Sequence, residues 1–223
     1  MNLFNTILNV IFPTHCLVCA KNGVDLCFKC LSLSPSAERE SANWIFPLYD
    51  YRHPPIKKAI WLLKYKNKKN LAKIFALAMY DRILEELSEL SVMENFREPI
   101  LIPIPLSNQR KRERGYNQAE LIGRYLIETD KINNKENKNY ILEKNILIKI
   151  KDGEHQARLE NRAERLKNII DSFAVKEENK NKIKNRNIIL IDDVTTTGAT
   201  LNEARKILKQ SGARKIIAFT VAH

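Results

Sequence analysis

Two adjacent carboxylates, Asp192 and Asp193, close the apolar run Ile188-Ile189-Leu190-Ile191 and precede Thr195, Thr196, Thr197, Gly198, Ala199 and Thr200. Four aliphatics in a row suit a central parallel strand, and open α/β sheets bind ligands beyond the carboxyl ends of such strands. The threonines surround a glycine immediately before a helical pattern. Gly198 lets a ligand approach the main chain closely. Hydroxyls, free N–H groups at the helix start and the positive end of its dipole together make a phosphate cradle. The carboxylates then sit one sugar-length away as acceptors for ribose hydroxyls. A 5′-phosphate cradle beside ribose acceptors is the chemistry of a phosphoribosyl group. An Asp-Asp turn with a threonine N-cap reproduces the local geometry, but it leaves the paired acids and the glycine-interrupted threonine run unexplained.

A second constellation lies near the start of the chain. Cys16-x2-Cys19 and Cys27-x2-Cys30 are two knuckles, each able to offer two thiolates to one tetrahedral ion, and they hold all four cysteines of the chain. Zn²⁺ at a structural site takes four such ligands. Disulfides are the rival, but no basic n-region or small-residue cleavage site precedes these residues, and cytosolic thiols stay reduced. His15 adjoins Cys16 and reads as a bystander.

Cations are also clustered. Lys64, Tyr65 and Lys66 fall at the end of a helical pattern, where two cations suit an anion or simply a solvated helix end. Arg110-Lys111-Arg112-Glu113-Arg114-Gly115 sets four cations around one acid before a hinge glycine, with Tyr116, Asn117 and Gln118 following. Arg forks grip phosphate bidentately. Such a segment also suits a nucleic-acid backbone, with Tyr116 as a stacking surface, or a solvated charge run. Arg158, Arg162 and Arg165 alternate with Glu160 and Glu164 at helical spacing, which reads as intrahelical pairing.

The elements that must position these groups alternate. Strands are expected at 44–51 (or a hairpin), 99–105, 140–150 (bent near Asn145), 187–191 and 215–222. Helices are expected at 56–64, 71–90, 118–128, 157–170 and 199–210. This alternation implies a mostly parallel sheet covered on both faces. Leu3, Ile7, Leu8 and Ile11 recur at helical spacing, so a short amphipathic helix packed on the protein is expected before the cysteines, with transient membrane or partner contact as its alternative. A Ser-rich bridge over 35–43 divides an N-terminal unit, 1–40, from the main domain, 41–223.

The series of motifs resembles known proteins. An apolar strand, Asp-Asp, three variable residues, Thr-Gly, one residue and Thr is the signature of type I phosphoribosyltransferases, and residues 188–200 match it in full. Further matches are narrower. They are Leu63-Lys64-Tyr65-Lys66; Pro103-Ile104-Pro105-Leu106 leading into Arg110, Arg112, Arg114, Gly115, Tyr116, Asn117 and Gln118; and Gln156, Leu159, Arg165, Asn168 and Phe173 ahead of the Asp-Asp strand. With the four-cysteine unit in front, this order resembles the ComF family, over essentially the whole chain from Ile11. The resemblance implies a type I phosphoribosyltransferase-like α/β fold with an N-terminal zinc ribbon. It also implies that Asp192 and Asp193 hold the ribose hydroxyls of phosphoribosyl pyrophosphate (PRPP), that Thr195 to Thr200 hold its 5′-phosphate, and that Mg²⁺ accompanies the pyrophosphate. Either carboxylate could then also act catalytically on the developing oxocarbenium charge. Lys64, Tyr65 and Lys66 would form the pyrophosphate loop, and Arg110, Arg112, Arg114, Asn117 and Gln118 a mobile basic loop closing over PRPP. The family usually has a glycine where this chain has Asn67, which leaves the shape of that loop open.

The same resemblance implies handling of incoming single-stranded DNA during natural transformation, with DNA-uptake machinery at the inner membrane as partner. The alternative is an active phosphoribosyltransferase acting on a base or amine. Composition permits both. The 223 residues carry a formal charge of +12, favouring polyanionic partners, although a Lys/Asn-rich background raises charge in the same way. Hydrophobic residues make up 44%, enough for a globular core. No run reaches the ~20 apolar residues of a membrane span, so a cytoplasmic protein, at most peripheral to the inner membrane, is expected.

Overall fold

The strands form where apolar residues fill both faces of the chain. In the computed structural model, which describes residues 14–38, 42–134, 140–151 and 169–223, five of them make one parallel sheet. They are β1 (Ile45–Tyr49), β2 (Ile100–Pro103), β3 (Ile141–Leu142), β6 (Asn187–Val194) and β7 (Lys215–Ala222), in the order β1-β7-β6-β2-β3. The registers Ile189↔Ile217 and Leu101↔Ile189 put β6 at the centre. Its residues alternate between two cores. Ile189 and Ile191 join Ile217, Phe219 and Leu101 on one side, while Ile188 and Leu190 join Ile216, Ala218 and Ile102 on the other.

Helices cover both faces. The first core takes α2 (Pro54–Tyr65), α3 (Asn70–Glu94) and α5 (Gln118–Asn133) through Ile60, Leu63, Phe75, Met79, Ile122 and Leu126. The second takes α7 (Ala199–Gln210) through Leu201, Ala204 and Leu208. The seven-residue α4 (Asn108–Arg114) starts on Ser107, whose hydroxyl accepts from Arg110 N–H at 3.3 Å, and stops at Gly115, φ +75°. It is the segment expected as a basic loop.

Several boundaries differ from the sequence expectations for local reasons. The stretch 140–150 is two strands rather than one bent strand. β3 pairs with β2, whereas β4 (Leu147–Lys149) pairs antiparallel with β5 (Phe173–Val175), because the polar turn at Lys144-Asn145 separates two short apolar runs. The stretch 44–51 is a single strand, not a hairpin, since β1 runs parallel to β7. β6 continues past Ile191 because β7 is long enough to pair Asp192 with Thr220 and Val194 with Ala222. The Lys/Asn-rich 176–186, for which no element was expected, forms short helical structure. It contains a 3₁₀ turn (Glu177–Asn179) and α6 (Lys180–Ile183), which bury Asn179 and Ile183.

The N-terminal unit leans on the same core. Cys16, Leu26, Cys27, Cys30 and Leu31, the last two within α1 (Phe28–Ser32), pack with α2 and α3 side chains. Lys68 Nζ meets Asp25 Oδ1 at 3.0 Å. The following segment covers the free edge of β1, with Ser36 opposite Tyr49 and Asp50 N–H donating to Pro35 O at 3.0 Å. The amphipathic N-terminal helix, residues 39–41 of the bridge and almost all of the Arg-rich helix, with Gln156, Leu159, Arg165 and Asn168, lie outside the described residues.

Candidate functional site

Asp192 and Asp193 are successive residues of a strand, so their side chains leave opposite faces of the sheet. Asp193 is buried, and its Oδ1 lies 2.8 Å from Lys64 Nζ at the end of α2. Asp192 is half-buried, and its Oδ1 accepts from Asp193 N–H at 2.8 Å. Crowding of the Asp192 carboxyl by protein, followed by the charge of Asp193, pushes its pKa up to about 7. The Asp193 N–H and the charges of Lys64 and Lys149 only partly offset this. Lys149, on β4, also lies 5.5 Å from the centre of the Phe173 ring. No sequence motif marks it. Only the folding back of β4 and β5 brings its charge to bear on Asp192.

Beyond β6 the threonine loop turns into α7. Thr195 is buried and its N–H donates to Ala222 O at 3.0 Å, which keeps the loop on the end of β7. Thr196 and Thr197 are exposed, and Thr197 Oγ1 accepts from Ala199 N–H at 3.4 Å. Gly198 has φ +70°, the left-handed conformation that glycine adopts freely, and Thr200 lies in the first turn of α7. A cleft of about 100 Å³ opens over residues 195–198, walled by Ile45 and Pro47 of β1, Asn202 and His223. Asn202 lies one helical turn beyond Gly198, a spacing legible in the sequence. His223 arrives only through the pairing of β7.

The Lys64-Tyr65-Lys66 stretch ends α2, and its three side chains diverge. Lys64 reaches Asp193, Tyr65 is exposed, and Lys66 Nζ sits 5.4 Å from the Trp61 ring centre. Asn67 adopts φ +55°, so it takes the left-handed backbone expected of a glycine there. The basic segment meets this stretch at one point. The Arg114 guanidinium lies 5.2 Å from the Tyr65 ring centre and donates to Gln118 Oε1 at 2.9 Å. Tyr116 donates its hydroxyl to Leu63 O. Asn117 caps α5, accepting from Ala119 N–H at 3.0 Å, and donates to Ile104 O at 2.9 Å. Gln118 is buried, whereas Arg110 is half-buried and Arg112 lies on the exposed side of α4.

The ligand atoms of Cys16, Cys19, Cys27 and Cys30 all lie within 4.8 Å of one another. A tetrahedron of thiolates at a Zn–S distance of about 2.3 Å requires sulfurs about 3.8 Å apart. Cys19 and Cys27 are 3.7 Å apart, so this donor set fits zinc. Burial raises the pKa of Cys16, but backbone N–H groups of Cys19, Val18 and Cys27 outweigh it and bring the thiol down to about 6. The Cys27 side chain and then burial push Cys30 up to about 12. His15 stands apart, bridging to Asn22 through the backbone.

A parallel sheet whose central strand ends in paired acids and a threonine–glycine loop defines a phosphoribosyltransferase-type α/β protein. Residues 129–223 match the family model described as the phosphoribosyl transferase domain. The chain is 31% identical to Competence protein F of Haemophilus influenzae over 202 residues, 88% of this chain and 77% of that one. It is 35% identical over 123 residues to Competence protein ComFC of Bacillus subtilis, covering 55% of this chain and 43% of that protein. It is 31% identical over 134 residues to Competence protein ComFC of Streptococcus pneumoniae, covering 58% and 50%. The chain belongs to the ComF family. Among the described residues no helix is long and apolar enough to cross a membrane.

Proposed function

We propose that the chain binds PRPP with Mg²⁺ at the end of β6 and serves DNA uptake, handling incoming single-stranded DNA at the cytoplasmic side of the inner membrane. The observation that carries the PRPP reading is the order of three parts at the end of β6. The acid pair closes the strand, the Lys64 ammonium lies 2.8 Å from Asp193, and the loop that opens the cleft over residues 195–198 follows directly. Asp192 and Asp193 take the ribose hydroxyls, the threonine loop takes the 5′-phosphate, and Lys64 with its neighbours takes the pyrophosphate. α4 provides arginines over the leaving group, with Arg114 already at Tyr65. Mg²⁺, when bound, offsets the pyrophosphate charge. The DNA reading rests on the competence relatives and on the formal charge of +12.

Calorimetric titration of PRPP with Mg²⁺ tests the first part. Asp192→Asn with Asp193→Asn should abolish binding while fold and zinc content stay unchanged, and normal binding by the double variant would sink the assignment. Binding of a single-stranded oligonucleotide should weaken steeply with salt through counterion release. No binding at low salt would overturn direct DNA contact. PRPP turnover in the presence of purine, pyrimidine and amine acceptors distinguishes transfer from binding alone.

A further inference from the structure

A concave basic surface lies away from the acid pair. A groove of about 360 Å³ lies between the start of α5, the end of α4 and the Lys144-Asn145 turn. That volume falls within the range of small-ligand sites. Four cations line it, Lys69, Lys111, Arg124 and Lys144, against one carboxylate, Glu120. Three of the four have partners within the groove. Glu120 Oε1 fixes Arg124 Nη2 at 2.6 Å and Lys144 Nζ at 3.5 Å, and Lys69 Nζ stands 4.9 Å from the Tyr116 ring centre. The arginine and Lys144 charges keep the Glu120 carboxyl low against the opposing effect of its burial.

A single carboxylate ligand would leave most of this charge unanswered, whereas consecutive phosphates present oxyanions from several directions at once. We infer that the groove is a second anion site, distinct from the acid pair, that takes an oligophosphate: either a free phosphoanhydride or successive phosphates of a single strand. The strand alternative rests on the DNA-handling reading above, and the free-anion alternative does not.

The test titrates inorganic tripolyphosphate and an oligothymidylate separately into the zinc-loaded full chain. Arg124→Gln with Lys144→Gln should weaken whichever probe binds by about tenfold or more and lower the salt dependence of strand binding. Glu120→Gln should strengthen it severalfold, because the substitution releases two cations without removing either. A merely structural role for these exposed side chains predicts no gain. Binding of the oligothymidylate alone assigns the site to a strand, and binding of tripolyphosphate alone assigns it to a free oligophosphate. The inference is overturned if wild type binds neither probe, or if both variants bind like wild type. PRPP affinity measured on the same samples checks that the variants fold. Its absence in wild type would count against the acid-pair reading and leave the groove untouched.

Discussion

Lys64 Nζ and Asp193 Oδ1 are 2.8 Å apart, with only 17% and 10% of their side chains exposed. The pair joins the end of α2 to the end of β6, two places 129 positions apart in sequence numbering. Breaking it from one side leaves an uncompensated buried charge, which costs more than the pair itself contributes. Lys64→Met should therefore lower unfolding stability by about 3 kcal/mol. Lys64→Met with Asp193→Asn should lose less than the two single losses together. Denaturant unfolding of the zinc-loaded chain reads this, and additive losses would mean that the pair is not coupled.

Asp192 gives a pH dependence of unusual sign. Its folded pKa of about 7 lies above that of an unfolded aspartate. Between those values the native state holds a proton that the unfolded chain has released, so stability from this group falls as pH rises and is lost through about pH 7. Asp192→Asn should flatten that decline and make the variant the more stable protein at pH 8. An unchanged slope between pH 5 and 8 would show that Asp192 ionises normally.

The acid pair, the threonine loop and the cysteine knuckles were legible because each is a local motif. Their residues are within a few positions of one another, and backbone geometry alone brings them together. What was not legible depends on chain paths. Lys149 influences Asp192 only because β4 leaves the main sheet after two residues of β3, and that departure is set by a turn at Lys144-Asn145 that reads equally well as a kink. The family resemblance implied a loop over the basic segment, yet Ser107 and Gly115 supply both caps of a helix. The groove around Glu120 draws on Lys69 ahead of α3, on α4 and α5 and on the β3–β4 turn, so no single window of sequence contains it.

The cysteine cluster should bind one zinc ion and release protons as it does so. Cys16, at about 6, is already largely a thiolate near neutrality, whereas Cys30, at about 12, loses its proton only to the metal. Zinc should thus be held less tightly as pH falls, and a chelator should strip it faster at pH 6 than at pH 8. Because Cys16, Cys27 and Cys30 share the main core, loss of the metal should also lower the thermal midpoint of the whole chain. Cys16→Ser should lose both zinc and stability. A stable, metal-free variant would show that packing alone folds this unit.

Gly198 and Asn67 both sit in left-handed backbone, at φ +70° and φ +55°, but substitution should separate their roles. A Cβ at Gly198 would stand 3.4 Å from Asn202 Nδ2 and Ile45 Cδ1, tight but not blocked. The cost of Gly198→Ala is then mainly backbone strain, about 1 kcal/mol. Its effect on ligand should be larger than that, because any shift of the loop moves the threonines that line the cleft. Asn67 already tolerates its conformation, so Asn67→Gly should change stability by only a few tenths of a kcal/mol, whereas Asn67→Val should lower it by about 1 kcal/mol or more. Unfolding midpoints and PRPP titrations on the three variants measure both effects. Equal losses of stability and affinity at Gly198 would mean that the loop supports the fold rather than the phosphate.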